Sequence, residues 1–283
     1  MSVQLHCGRH TFDLARPLVM GIVNVTPDSF SDGGRFHDPA RALLHARQLV
    51  ADGADLVDVG GESTQPGALP VGEAEEMDRV LGVIEALARD GVAVSVDTRK
   101  PAVMRAALAV GASMVNDVSA LAAPGALAAC VESDAGVCLM HMRGEPATMQ
   151  DAPVYADVVG EVGAFLAARA ATCRAAGIDR RRIVVDPGFG FGKTVAHNLA
   201  LLRAIPGIAA LGYPVMAGLS RKSTLGFITG RPAAERLAAS VAAAVAAVAR
   251  GAAIVRVHDV RETVDALKVW LAVNPRILPE DAA

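Results

Sequence analysis

Eight short apolar runs recur along this 283-residue chain, and each one gives way to polar side chains. Residues 19–23 end in Asn24, and residues 54–59 carry Asp58 and run into Gly60, Gly61, Glu62, Ser63 and Thr64. Residues 92–96 end in Asp97, residues 113–115 in Asn116 and Asp117, and residues 137–140 in His141. Residues 183–185 end in Asp186, residues 214–217 lead into Ser220, Arg221, Lys222 and Ser223, and residues 253–257 carry Arg256 and end in His258 and Asp259. Runs that are apolar throughout, without alternation, predict parallel strands buried on both faces. Helical patterning fills the gaps, over residues 39–51, 73–89, 101–109, 124–131, 158–176, 196–205, 233–250 and 262–270. Asp38 before Pro39 reads as an N-cap followed by proline in the first turn. Eight strand–helix units predict a (β/α)8 TIM barrel in one domain, a fold of about 250 residues. Gly8 and Arg9, between short apolar stretches in residues 3–14, predict a hairpin that closes the bottom of the barrel.

Charge and composition exclude several classes. A net charge of -3 gives no basic face for nucleic acid. Residues 237–249 are almost wholly apolar, but a membrane span needs about 20 residues. That stretch predicts an Ala-rich helix packed on the barrel or on a second subunit. No charged segment leads into an apolar one at the N-terminus, so no signal peptide is expected, and a reducing cytoplasm is the expected location. Cys7, Cys130, Cys138 and Cys173 are too scattered for a metal site or a disulfide framework, and Cys138 is expected in the core.

The segment from Asp186 to Thr194 carries glycines at 188, 190 and 192. It is no Walker loop, because Pro187 stands where the first glycine is required. Glycines at every second position also fail the dinucleotide fingerprint. A carboxylate under a loop bearing Phe189 and Phe191 suits a flat, hydrogen-bonding ring. In a TIM barrel the C-terminal strand ends form the active face. This places Asn24, Asp58, Asp97, Asn116, His141, Asp186, Lys222, Arg256 and His258 together. Asp97 is equally well placed to cap the helix after Pro101, and His141 receives no role.

Several segments resemble the signatures of dihydropteroate synthases. They are the stretch from Met20 to Gly34, Gly60 to Thr64, Ser95 to Thr98, Asn116 to Val118, Met140 to Met142, the Asp186 loop, Ser220 to Ser223, and Arg256 to Asp259. The resemblance implies condensation of 7,8-dihydropterin-6-ylmethyl diphosphate with 4-aminobenzoate, through a pterin methylene cation after pyrophosphate leaves. It implies pterin contacts from Asp97, Asn116, Asp186, Met140, Lys222 and Arg256. Asn24, Thr64, Arg256 and His258 would hold the diphosphate, with Asn24 also a ligand of Mg2+. Phe30, Thr64, Pro66, Phe191, Lys222 and Ser223 would frame the aminobenzoate, and Asp32 would act from the first loop beside Lys222, Arg256 and His258. The family usually carries arginine after Ser63-Thr64, where this chain has Gln65. A homodimer is also implied, with the helix over residues 233–250 as its contact. Two other readings remain open: methyl transfer from methyltetrahydrofolate to a corrinoid protein, and a pterin-binding paralogue without turnover.

Overall fold

The computed structural model describes residues 3–26, 39–63, 69–145, 148–150 and 153–274. It opens with an antiparallel hairpin of β1 (Gln4–Cys7) and β2 (His10–Asp13), turning through Gly8 at φ +56°. Then follow β3 (Leu18–Asn24), α1 (Pro39–Ala51), β4 (Leu56–Gly60), α2 (Glu73–Arg89), β5 (Val94–Asp97), α3 (Pro101–Ala109), β6 (Met114–Asp117) and α4 (Ala126–Val131). The second half runs β7 (Gly136–Met140), α5 (Val158–Ala175), β8 (Ile183–Asp186), α6 (Val195–Arg203), α7 (Ile205–Ala209), β9 (Met216–Ala217), α8 (Ser223–Thr229), α9 (Leu237–Val248), β10 (Ile254–Val257) and α10 (Val260–Val273). The parallel order is β8-β7-β6-β5-β4-β3-β10-β9, and a parallel bridge between Val185 and Val215 joins the two edges. The expected eight-stranded barrel is therefore present.

Successive side chains of a strand point to opposite faces, so alternate residues of each strand pack outward and inward. Val57, Val59, Val94, Val96, Val115, Val137, Leu139 and Val255 pack outward against the helices. Leu18, Met20, Leu56, Met114, Cys138, Val184, Met216 and Ile254 point inward and form a cluster with Leu5 and Cys7 of the hairpin. The hairpin thus plugs the lower end of the barrel, and Cys138 is core as expected. Burying a leucine such as Leu5, fully enclosed here, contributes about 1.5–3 kcal/mol. Leu5→Ala would open a void and cost about 2–5 kcal/mol. The interior is apolar below and polar above, so its polar residues gather at one end.

Three departures from the sequence expectation have local causes. The helix expected over 196–205 stops at Arg203 and restarts as α7, because Pro206 has no N–H to donate and is tolerated only in a first turn. The helix expected over 233–250 is a short 3-10 turn at Ala233–Glu235 followed by α9. The seven-residue α8 has no expected counterpart, since so short a segment with Gly226 inside it shows no usable periodicity. Asp38 lies outside the described residues. No helix among the described residues is long and apolar enough to cross a membrane.

Candidate active site

Strand register assembles the upper end. Asn24 pairs with Gly60, Gly60 with Asp97, and Asp97 with Asn116, a row across four strands. Met140 pairs with Asp186 across β7 and β8. From the opposite side Arg256 reaches over the interior, its Nε donating to Asp58 Oδ2 at 2.6 Å and its Nη2 to Asp97 Oδ2 at 2.7 Å. Asn116 Nδ2 donates to the same Asp58 oxygen at 2.9 Å. Burial works against the charge of Arg256, but Asp58 and Asp97 outweigh it and raise its pKa. Burial raises the pKa of Asp97, and Asp58 adds to that while Arg256 opposes it. Asp97 does not cap the next helix: Lys100 takes the N-cap position without a side-chain bond, and its N–H donates to Thr98 Oγ1 at 3.2 Å.

Asp186 is 4% exposed, and its Oδ1 accepts from Gly188 N at 2.7 Å. Burial raises its pKa, with Lys222 and Lys193 opposing. The glycine spacing of this loop has a steric reason. Gly188 and Gly192 sit at φ +69° and +63°, and a Cβ on them would overlap the carbonyl oxygens of His141 and Arg143. The loop therefore lies directly on the end of β7, in conformations that only glycine adopts cheaply. Its two aromatic rings part company. Phe189 is 1% exposed and belongs to the outer core with Val185, Leu201 and Leu219. Phe191 stays beside the site, with Lys222 Nζ 4.6 Å from its ring centroid. Lys222, at the N-cap of α8, also donates to the Phe189 carbonyl. Burial lowers its pKa to about 8, against the pull of Asp186.

His258 lies one residue beyond β10, where strand alternation no longer fixes its direction. Ser220 fixes it instead: Ser220 Oγ is 3.0 Å from His258 Nδ1 and accepts from His258 N at 3.2 Å. Burial pushes its pKa down to about 4, and Arg221 and Arg256 add to the shift. Ser223 is exposed at the start of α8. Phe30, Asp32, Thr64, Gln65 and Pro66 lie outside the described residues. Asp58, which the sequence places on this face without a role, proves to be the shared partner of Arg256 and Asn116. The burial of Lys193 against His141 has no signal in the sequence beyond the lysine's place in the glycine loop.

A family model described as pterin binding enzyme matches residues 20–258. The dihydropteroate synthase of Neisseria meningitidis serogroup B is 54% identical over 274 residues, covering 94% of this chain and 96% of that protein. The solved Xanthomonas albilineans dihydropteroate synthase with 4-aminobenzoic acid superposes with a TM-score of 0.92 at 53% identity, over 97% of this chain and 99% of that one. The Burkholderia cenocepacia enzyme complexed with 7,8-dihydropteroate gives a TM-score of 0.89 at 53% identity, over 97% of this chain and 98% of that one. Since the match runs from the first barrel strand to just past the last, the chain belongs to the pterin-binding enzyme family and, within it, to the dihydropteroate synthases.

Proposed function

We infer that this protein condenses 7,8-dihydropterin-6-ylmethyl diphosphate with 4-aminobenzoate, giving 7,8-dihydropteroate and pyrophosphate. The methylene C–O bond breaks, the C–N bond to the aniline nitrogen forms, pyrophosphate leaves with the C–O electron pair, and the nitrogen sheds one proton. The observation that carries the reading is Asp186, a buried carboxylate that accepts from Gly188 N of its own loop and faces the barrel interior. The aminopyrimidine edge of a pterin offers two N–H donors, which a carboxylate accepts together as it does an arginine fork. Those bonds offset the burial that raises the pKa of Asp186.

The other roles are those that the family resemblance implies. Asp97 and Asn116 serve neighbouring ring atoms. Met140, 4% exposed and in register with Asp186, underlies the ring. Arg256, held by Asp58 and Asp97, stacks over it. Lys222 donates to the ring carbonyl or N5. Asn24, Thr64, Arg256 and His258 receive the diphosphate, with Asp32 acting from the first loop. Phe191, Lys222, Ser223, Phe30, Thr64 and Pro66 frame the aminobenzoate. The work of these groups is positioning and charge stabilisation.

Asn24 offers a neutral oxygen, and no group of three or more His, Cys, Asp or Glu among the described residues is arranged to hold a metal ion. That donor set suits Mg2+, a hard ion that takes most of its ligands from phosphate and water. Bound beside Asn24, Mg2+ would neutralise charge on the leaving pyrophosphate. Four buried free cysteines suit a reducing cytoplasm. Ile228, 55% exposed, lines an apolar groove between α6, α8 and α9, and its neighbour in α8, Phe227, is 77% exposed, which favours a homodimer across these helices.

Pyrophosphate release tests the reading. Release that requires both substrates and Mg2+ supports it. No release despite pterin binding would leave a binding protein, and methyl transfer from methyltetrahydrofolate without release would move the chain to the other chemistry.

A further inference from the structure

We propose that Lys193, paired with His141, is a positioning residue for aminobenzoate capture, fixing the loop that carries Phe191 and the carbonyl partner of Lys222. The inference rests on the condensation reading above.

Lys193 is 3% exposed. Its ammonium donates to the carbonyl oxygens of Phe191 at 2.9 Å and His141 at 3.1 Å, and lies 3.0 Å from His141 Nδ1. An ammonium has three N–H donors and no acceptor, so all three are used and His141 Nδ1 accepts. That requires the neutral imidazole with its proton on Nε2. Burial and the nearby Lys193 keep it so, holding the His141 pKa down at about 4. The ring is also fixed from the side, edge-on to Phe165 at 5.0 Å between centroids.

A lysine in such a place is costly to bury. Burial lowers its pKa to about 7, with Asp186 opposing and Lys222 adding. Methionine would fill similar space without a charge to desolvate. What the ammonium supplies, and an apolar chain cannot, is a tie between two separate segments. One is the end of β7 at His141, and the other is the loop at Phe191. Further bonds hold the same loop: Gly190 N donates to Asn198 Oδ1 at 2.8 Å, and Tyr155 Oη donates to Gly192 O at 2.9 Å. The two loop groups that face Lys222 are the Phe189 carbonyl and the Phe191 ring. Lys193 holds the Phe191 carbonyl directly, and Phe191 frames only the aminobenzoate, so the clamp acts first on that side of the site. Asp186, at the foot of the loop, keeps its bond from Gly188 N and its larger charge partner Lys222 when the clamp is lost, so Lys193 supplies only a smaller share of its support.

This asymmetry gives the test. Lys193→Met should raise the KM for 4-aminobenzoate at least tenfold while the Kd of the pterin diphosphate, read by calorimetry, moves less than twofold. An aminobenzoate KM within twofold of the parent, or a pterin Kd that rises as much as the KM, would overturn the proposal. If Lys193→Met does not fold by circular dichroism, the His141 pair carries the same test. His141→Leu, which removes the acceptor, should reproduce the split. His141→Asn, which keeps an acceptor near the Nδ1 position, should recover at least half of the lost affinity. Equal KM values for the two His141 variants would refute the clamp. A parent protein that releases pyrophosphate only with both substrates keeps the condensation reading whatever these variants do.

Discussion

Asp58 Oδ2 serves two donors at once, Asn116 Nδ2 at 2.9 Å and Arg256 Nε at 2.6 Å. Asp58 is fully buried, so this oxygen holds two proposed pterin-contacting side chains from beneath. Arg256 then lies between two carboxylates, one shared with Asn116 and the other on Asp97.

Asp58→Asn keeps the shape and removes the charge: its amide oxygen can still accept from both donors at the Oδ2 position, and what is lost is the charge that holds Arg256. Pterin affinity should fall about tenfold or more, and stability by about 1–3 kcal/mol, the range for losing a charge-assisted bond. Calorimetry and thermal denaturation measure both. If neither changes, Asp97 alone suffices to hold Arg256.

Asp186→Asn tests the ligand contact directly. The amide would present a donor to a ring donor, and a bond to a charged group contributes about 1.5–3 kcal/mol. Pterin affinity should therefore drop at least about tenfold. Unchanged binding in a folded variant would remove Asp186 from the pterin edge.

The sequence makes the barrel legible because a strand buried on both faces has no choice but to be apolar, as in Val184 and Val185, whereas its end at Asp186 is free to be polar. Helix bounds such as Pro39–Ala51 and Glu73–Arg89 are read to the residue for a related reason, since long amphipathic elements carry their own period. Short elements do not: seven residues of α8 and five of α7 give no period to read. Asp97, Asn116 and Asp186 are legible as candidate site residues from their strand-end positions. The partnership of Asp58 with Arg256 is not, because it spans 198 positions and depends on barrel closure. The two phenylalanines of the glycine loop look alike in sequence, and only the packing of α6 and α8 separates the core ring of Phe189 from the half-buried ring of Phe191 beside Lys222.

Phe227→Glu should abolish self-association if a second copy covers α8 and α9. Phe227 is 77% exposed and neighbours Ile228, which with Leu199 and Leu202 lines an apolar groove of about 280 Å³, and a charge there would be desolvated on docking. Sedimentation should give a dimer for the parent and a monomer for the variant. A parent monomer at micromolar concentration would dispose of the dimer proposal.

Acid stability should depend on His258. Its folded pKa lies near 4, below the ordinary 6.5, because burial and the nearby arginines disfavour the imidazolium. Between those two values the unfolded chain binds a proton that the folded chain does not, so acidification favours unfolding across that window and has no such effect above about pH 7. By pH 5 this amounts to about 1–2 kcal/mol, at 1.36 kcal/mol for each pKa unit. His141, also near 4, acts in the same direction. Asp117 acts oppositely: burial raises it to about 6, so the folded chain takes up its proton first and gains stability as the pH falls toward 4. The parent curve is therefore shallow, and the informative quantity is the difference between parent and His258→Asn. The variant should lose less Tm than the parent between pH 7.5 and pH 5, whatever constant offset it carries from losing the Ser220 contact. Parallel Tm curves for the two proteins would mean that His258 titrates normally in the fold, and that Arg221 and Arg256 do not set its charge.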